Sequence, residues 1–205
     1  MSDKIIEWST AVQVRQGEDL SGDHYLICRV LDRVLVAVLD GIGHGPEAAE
    51  ASRKAVTVLE AHADEPIISL FLLCHNELRN TRGVVMSLAV LDSSSNSMTW
   101  LGVGNVGGRL LRADKTSLHT EEELLTYSGI VGHQLPPVLI FSVLPIFKGD
   151  VLILTTDGIS HEFSESVYIG RSAYQIANDI LANYSKDTDD ALVTVAKYQG
   201  ESKPG

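Results

Sequence analysis

The run RVLVAVL at residues 33–39 constrains the fold of this chain more than any other feature. It is almost continuously apolar, with no alternation of polar and apolar positions, and so reads as a strand buried on both faces. Such a strand needs a packed layer above and below it, which restricts the chain to layered architectures. The run ends at Asp40-Gly41 and leads into GIGHGP. There the period changes: Ala48, Ala51, Ala55, Val58 and Ala61 recur at three- and four-residue spacing, and a proline stands in the first turn. That pattern predicts an amphipathic helix.

The remaining elements follow the same signals. Residues 4–15 and 24–31 are rich in β-branched and aromatic side chains and predict strands. A second helix is expected from about Pro66 to Asn80, with Ile67, Leu70, Phe71, Cys74 and Leu78 on one stripe. Strand patterns return at 84–91, 97–103 and 108–112, with SSSN and GNVGG as turns, and predict an antiparallel meander. A strand pair is expected at 138–144 and 150–156, the latter again ending in Asp-Gly, at Asp157-Gly158. A helix from about Ser172 to Tyr184 precedes a last strand, Ala191 to Tyr198. This order argues for an α+β fold, antiparallel sheet covered by helices, and against a doubly wound nucleotide fold. With 205 residues and no repeat or interior linker, the expectation is one domain over residues 1–198 and a loose tail over 199–205.

Charge narrows the function. Asp and Glu number 27 against 16 Lys and Arg, a formal net charge of -11, so nucleic acid and anionic membrane are excluded as partners. The most apolar stretch, Ile67 to Cys74, is far shorter than a membrane span needs, and MSDKIIEWS has no signal-peptide pattern. A cytoplasmic protein is expected. Cys28 and Cys74 lack metal-ligand spacing and read as buried free thiols.

Acidic residues stand where strands begin or end: Asp23 in LSGDHY, Asp40 in VLDGIGHG, Asp157 in TTDGISH, and Asp189 with Asp190 in TDDALVTV. One Asp-Gly pair is most simply a turn. Here both follow apolar strands and neither leads straight into another strand, as a tight hairpin would. Strand ends of one sheet converge in space, and carboxylates so gathered repel unless cations offset them, which points to hard divalent metal. Gly41, lacking a side chain, would let its carbonyl approach an ion.

Other motifs lead nowhere comparable. GVGNVG at 102–107 matches GxGxxG, but a strand pattern follows where the dinucleotide fingerprint needs a helix, so it reads as a hairpin turn. His161-Glu162 does not continue to HExxH, and GxSxG is absent.

The set SGD, DGxGxG before an alanine-rich helix, TDG, and DD before a final strand resembles the metal-dependent protein phosphatases of the 2C class, in their compact SpoIIE-like bacterial branch. The resemblance runs over about residues 8–198. It implies an αββα sandwich of two antiparallel sheets flanked by helices, with two Mn2+ or Mg2+ ions at one edge. Asp40 would bridge both ions, Gly41 would offer its carbonyl to one, Asp157 and Asp189 would hold the other, and Asp23 would act on the second ion, directly or through water. His44 would be the candidate to protonate the leaving oxygen, with His161 a weaker one, and Arg15 is nearest in position to the family's phosphate-binding arginine. The chemistry implied is attack by a metal-activated water on phosphoserine or phosphothreonine. VGNV at 103–106 and SGIVG at 128–132 are most similar to the phosphatases that serve the stressosome. The implied partners are phosphorylated stressosome scaffold proteins, met by a monomer. The alternatives are an anti-sigma-factor antagonist as substrate, or a non-catalytic binding module on the same fold.

Overall fold

The computed structural model describes residues 5–114 and 121–200. Two five-stranded sheets are formed, with every neighbouring pair antiparallel. One contains β1 (Ile6–Gln13), β10 (Ala191–Tyr198), β9 (Val151–Thr155), β6 (Gly107–Leu111) and β7 (Glu121–Leu124), in that spatial order. The other contains β2 (Asp23–Val30), β3 (Arg33–Gly41), β4 (Val84–Asp92), β5 (Ser97–Val103) and β8 (Ser142–Pro145).

Strand alternation sorts the core into layers. On β3, Val34, Val36 and Val38 join Trp100 of the same sheet and Leu110, Leu152, Leu154, Leu192 and Tyr198 of the other in one cluster between the sheets. Leu35, Ala37 and Leu39 face the opposite way, onto α1 (Pro46–Ala61) and α2 (Ile67–Glu77). The outer face of the first sheet packs Ile153, Val193 and Val195 against Ile176, Ala177 and Ile180 of α3 (Ala173–Tyr184). The layers are therefore helix, sheet, sheet, helix, and β3 is buried on both faces as its sequence requires.

Details depart from the sequence reading. The expected meander is broken: β4 and β5 pair, but at Gly104–Val106 the chain crosses to the other sheet, where β6 pairs with β9. GVGNVG is thus a crossover between sheets and not a hairpin turn. The expected pair at 138–144 and 150–156 is likewise split, because β8 adds to β5 while β9 lies between β10 and β6. On α1 the buried stripe runs through Ala48, Ala51, Ser52, Ala55 and Leu59, whereas Ala61 is exposed. Strand β7 is absent from the sequence reading because EEEL has little β propensity. It is held by charge: Arg109 pairs with Glu121 at 3.0 Å and Glu123 at 3.5 Å, and the nearly buried Arg112 pairs with Glu122 and, at 2.8 Å, with Asp150.

Cys74 is buried, its thiol pushed up to about 12 by loss of hydration, but Cys28 is only partly covered. Gln199, expected to open a loose tail, donates its N–H to the Ile5 carbonyl at 2.8 Å. Residues 201–205 of that tail and the first residue of the strand expected at 4–15 lie outside the described residues. Among the described residues no helix is long and apolar enough to cross a membrane.

Helix α3 starts where expected because Ser172 and Gln175 form a reciprocal capping box. Ser172→Ala should lower unfolding stability by about 1 kcal/mol in a urea titration; an unchanged midpoint would show that the cap contributes nothing.

Candidate metal centre

Asp23 and Asp40 are direct cross-strand partners at the end of β2 and β3. By alternation both lie on the face turned to the other sheet, at the edge where the inter-sheet cluster ends. The second sheet meets them there: Thr156, just past β9, donates its hydroxyl to Asp23 Oδ2 at 2.6 Å and accepts the Leu192 N–H at 2.9 Å. Asp157 follows Thr156, and Asp189 precedes β10, so four acidic positions far apart in sequence share one end of the sandwich.

Their electrostatics show mutual proximity. Burial, then the charges of Asp23, Asp157, Asp189 and Asp190, raise the Asp40 carboxyl to about 8. Asp23 is raised to about 7, chiefly by burial, against the opposing hydrogen bond from Thr156. Asp157 is also raised, by burial and by Asp189, with Lys186 and the Asn105 amide opposing.

Asp189 and Asp190 are distinguished by their partners. Buried Asp190 accepts the Arg15 N–H on Oδ1 at 2.8 Å and the Gly22 N–H on Oδ2 at 2.7 Å. Its carboxylate fastens the segment before β2 to the start of β10. Among the described residues Asp189 accepts a local bond, from the Asp190 N–H at 2.9 Å. Gly22 is the knot of this corner, since its carbonyl also accepts the Ser52 hydroxyl at 2.6 Å and the Gly41 N–H at 3.1 Å.

The glycines of both Asp-Gly pairs are required by packing. A Cβ on Gly41 would lie 2.2 Å from the Ala48 carbonyl oxygen of α1, and one on Gly158 would lie 1.8 Å from that of Asp190. The sequence reading assigned Gly41 only an ion-facing carbonyl and missed this close approach of backbone to backbone.

His44 is exposed, with Nδ1 2.8 Å from Glu18 Oε1. Arg15 reaches the corner through its main chain. His161 opens a 3₁₀ turn, His161–Ser166, and lines a cleft with Asn105 and Thr155. Asn105 is a residue the sequence reading missed: its amide donates to Asp157 Oδ2 at 2.7 Å. Only its place in the VGNV turn could have marked it.

Among the described residues no three His, Cys, Asp or Glu side chains stand in ready geometry around one ion. Thr156 engages one oxygen of Asp23 and Asn105 one oxygen of Asp157. In donor type and in uncompensated charge, the set Asp23, Asp40, Asp157, Asp189 and the Gly41 carbonyl fits hard divalent cations.

Known proteins share this sequence pattern and fold. "Phosphoserine phosphatase RsbX" of Bacillus subtilis (strain 168) is 25% identical over 177 residues, 86% of each chain. A chain solved in work on the bacterial stressosome, "a modular system that has been adapted to control secondary messenger signaling", is 31% identical, covers 94% of this chain and 99% of its own, and superposes with a TM-score of 0.85. RsbX in complex with magnesium superposes equally well, TM-score 0.85, at 21% identity over 97% of this chain and 98% of its own. The family described as Stage II sporulation protein E (SpoIIE) matches residues 31–200. The two antiparallel sheets with flanking helices are those of the PP2C-type phosphatases, and the chain belongs to the SpoIIE family.

Proposed function

We propose that this chain is a metal-dependent protein phosphatase that removes phosphate from phosphoserine or phosphothreonine on stressosome proteins. Two divalent cations, Mn2+ or Mg2+, would be held by Asp23, Asp40, Asp157, Asp189 and the Gly41 carbonyl. The observation that carries this reading is the meeting of the Asp23–Asp40 pair of one sheet with Asp157 and Asp189 beside the other, close enough that the charges of Asp157 and Asp189 act on both Asp23 and Asp40. Cations held there would supply Lewis acidity, lowering the pKa of a water for in-line attack on phosphorus and offsetting the charge of the phosphoryl oxygens.

The chain's own residues have separable tasks. Asp40, on whose carboxyl the charges of Asp23, Asp157 and Asp189 all act, is the one suited to bridge two ions. Asp189 serves in place of Asp190, whose two oxygens are engaged by backbone N–H groups. Thr156 and Asn105 each hold one carboxylate oxygen, of Asp23 and Asp157, and so orient the other. His44 is the candidate to protonate the leaving oxygen; with Nδ1 on Glu18, its Nε2 would deliver the proton. The stressosome as target rests on the 31% identical chain, and phosphoserine as substrate on the Bacillus phosphatase.

Incubation with p-nitrophenyl phosphate and with phosphoserine proteins, with Mn2+ and then with chelator, tests the activity. Release from neither substrate in Mn2+ would sink the reading. Separate assays on scaffold and antagonist phosphoproteins test the target, and equal rates would remove the stressosome assignment.

Metal should also set how stability depends on pH. In the metal-free fold Asp23 and Asp40 hold protons up to about 7 and about 8, whereas unfolded they ionise near 4. Raised pKa values mean that their contribution is full below about pH 4 and is lost as pH rises through 7 and 8. The melting temperature of chelator-treated protein should therefore fall between about pH 5 and 8.5, with a smaller fall in Mn2+. A metal-induced shift of equal size at both pH values would contradict this.

A further inference from the structure

Lys186 stands against the edge of the corner that carries Asp157. Its Nζ donates to the backbone carbonyl of Asp157 at 2.6 Å. The segment that carries it is stitched to the chain after Asp157: the Lys186 N–H donates to the Gly158 carbonyl at 2.8 Å, the Ser160 N–H to that of Tyr184 at 2.8 Å, and Ser185 bridges to Ile159. These backbone bonds hold the segment without any help from the ammonium. The side chain is exposed, so its charge is presented at the surface of the site.

Sign makes the placement informative. A cation held beside Asp157 repels any metal that Asp157 would ligate, so it opposes loading of the site. It becomes favourable once a phosphate dianion arrives, because an ammonium has three N–H donors and the Asp157 carbonyl uses one. We propose that Lys186 receives an oxygen of the substrate's phosphate at the Asp157 edge and so positions phosphorus over the metals. This rests on the reading of Asp157 as a metal ligand.

The test uses the full chain, Lys186→Gln and Lys186→Arg, with Mn2+ and inorganic phosphate as probes in calorimetry, and Michaelis constants for p-nitrophenyl phosphate. For Lys186→Gln, loss of the like charge should tighten Mn2+ binding about two- to fivefold. Phosphate binding to the Mn2+-loaded protein should weaken about tenfold, as for loss of one charge-assisted hydrogen bond, with KM rising in step. Lys186→Arg should keep both values near wild type. A merely structural lysine would move the two affinities together and lower the melting temperature, and that result overturns the proposal. Unchanged phosphate affinity with normal Mn2+ binding also overturns it, and leaves the metal site standing. If the wild type binds no Mn2+, the metal reading fails and Lys186 fails with it.

Discussion

Asp40→Asn should reduce metal-dependent phosphatase activity about a thousandfold, a loss of ~4 kcal/mol in transition-state stabilisation. The same variant, freed of metal, should melt higher than the wild type at pH 8. Both effects come from one carboxylate. Asp40 is pushed up to about 8 by burial and by Asp23, Asp157, Asp189 and Asp190, so near pH 8 the metal-free fold holds it ionised at a cost. Asparagine has nearly the same shape, remains hydrogen-bonding and carries no charge, which relieves both burdens. Relief of about 1 kcal/mol would appear as a rise of roughly 2–4 °C for a chain of this size. With metal the sign reverses, because the amide is a poor ligand for a hard cation and the variant gains little from Mn2+. Scanning fluorimetry with and without Mn2+, beside initial rates on a phosphoserine protein, gives all four numbers. Full activity in the variant, or a lower melting temperature without metal, would sink the assignment. Asp190→Asn supplies a contrast of opposite sign. An amide presents one acceptor where Arg15 and Gly22 need two, so that variant should lose stability whether metal is present or not.

What was legible in the sequence follows from period and from motif. The unbroken apolar run at 33–39 implied a strand buried on both faces, which the fold divides into Val34, Val36 and Val38 on one side and Leu35, Ala37 and Leu39 on the other, and the helix period of Ile67, Leu70, Phe71 and Cys74 named a stripe that is buried. Periodicity does not say to which of two sheets a strand belongs. That is why β6 and β9 were expected beside their neighbours in sequence, although both lie in the opposite sheet from β5 and β8. Strand β7 escaped because its acidic residues find their partners only in Arg109 of β6 and in Arg112 just past it. At the site, chain position singled out the acidic residues, since strand ends in one architecture meet. The groups that hold them were invisible, because Thr156, Asn105 and Lys186 act through bonds formed only after the sheets close. The sequence reading took Asp189 rather than Asp190 as the ligand, and the two backbone N–H groups that engage the Asp190 carboxylate are consistent with that choice.

Gly158→Ala is expected to cost the fold about 3 kcal/mol or more. Gly158 needs no unusual backbone angle; its requirement is space. An added Cβ would stand 1.8 Å from the Asp190 carbonyl oxygen, 2.8 Å from its carbon and 2.9 Å from the Ala191 Cα. All three are backbone atoms, so no side chain can swing away, and relief requires moving the start of β10 against the stretch after β9. The carboxylate of Asp190 resists that movement through its bonds to Arg15 and Gly22, and the Lys186 N–H resists it through the Gly158 carbonyl. At 2–4 °C per kcal/mol the melting temperature should fall by at least about 6 °C. Mn2+ affinity should weaken in the fraction that folds, because Asp157 and Asp189 flank the displaced contact. Gly107→Ala is the control: its Cβ would meet nothing nearer than 3.6 Å, at the Thr155 hydroxyl, and should change stability little. If the two variants melt together, the close passage of β10 over Gly158 is not what this glycine is for. If instead Gly158→Ala alone loses both stability and metal, then TDG and DD are two sides of one backbone contact, and that contact sets the distance between the carboxylates they carry.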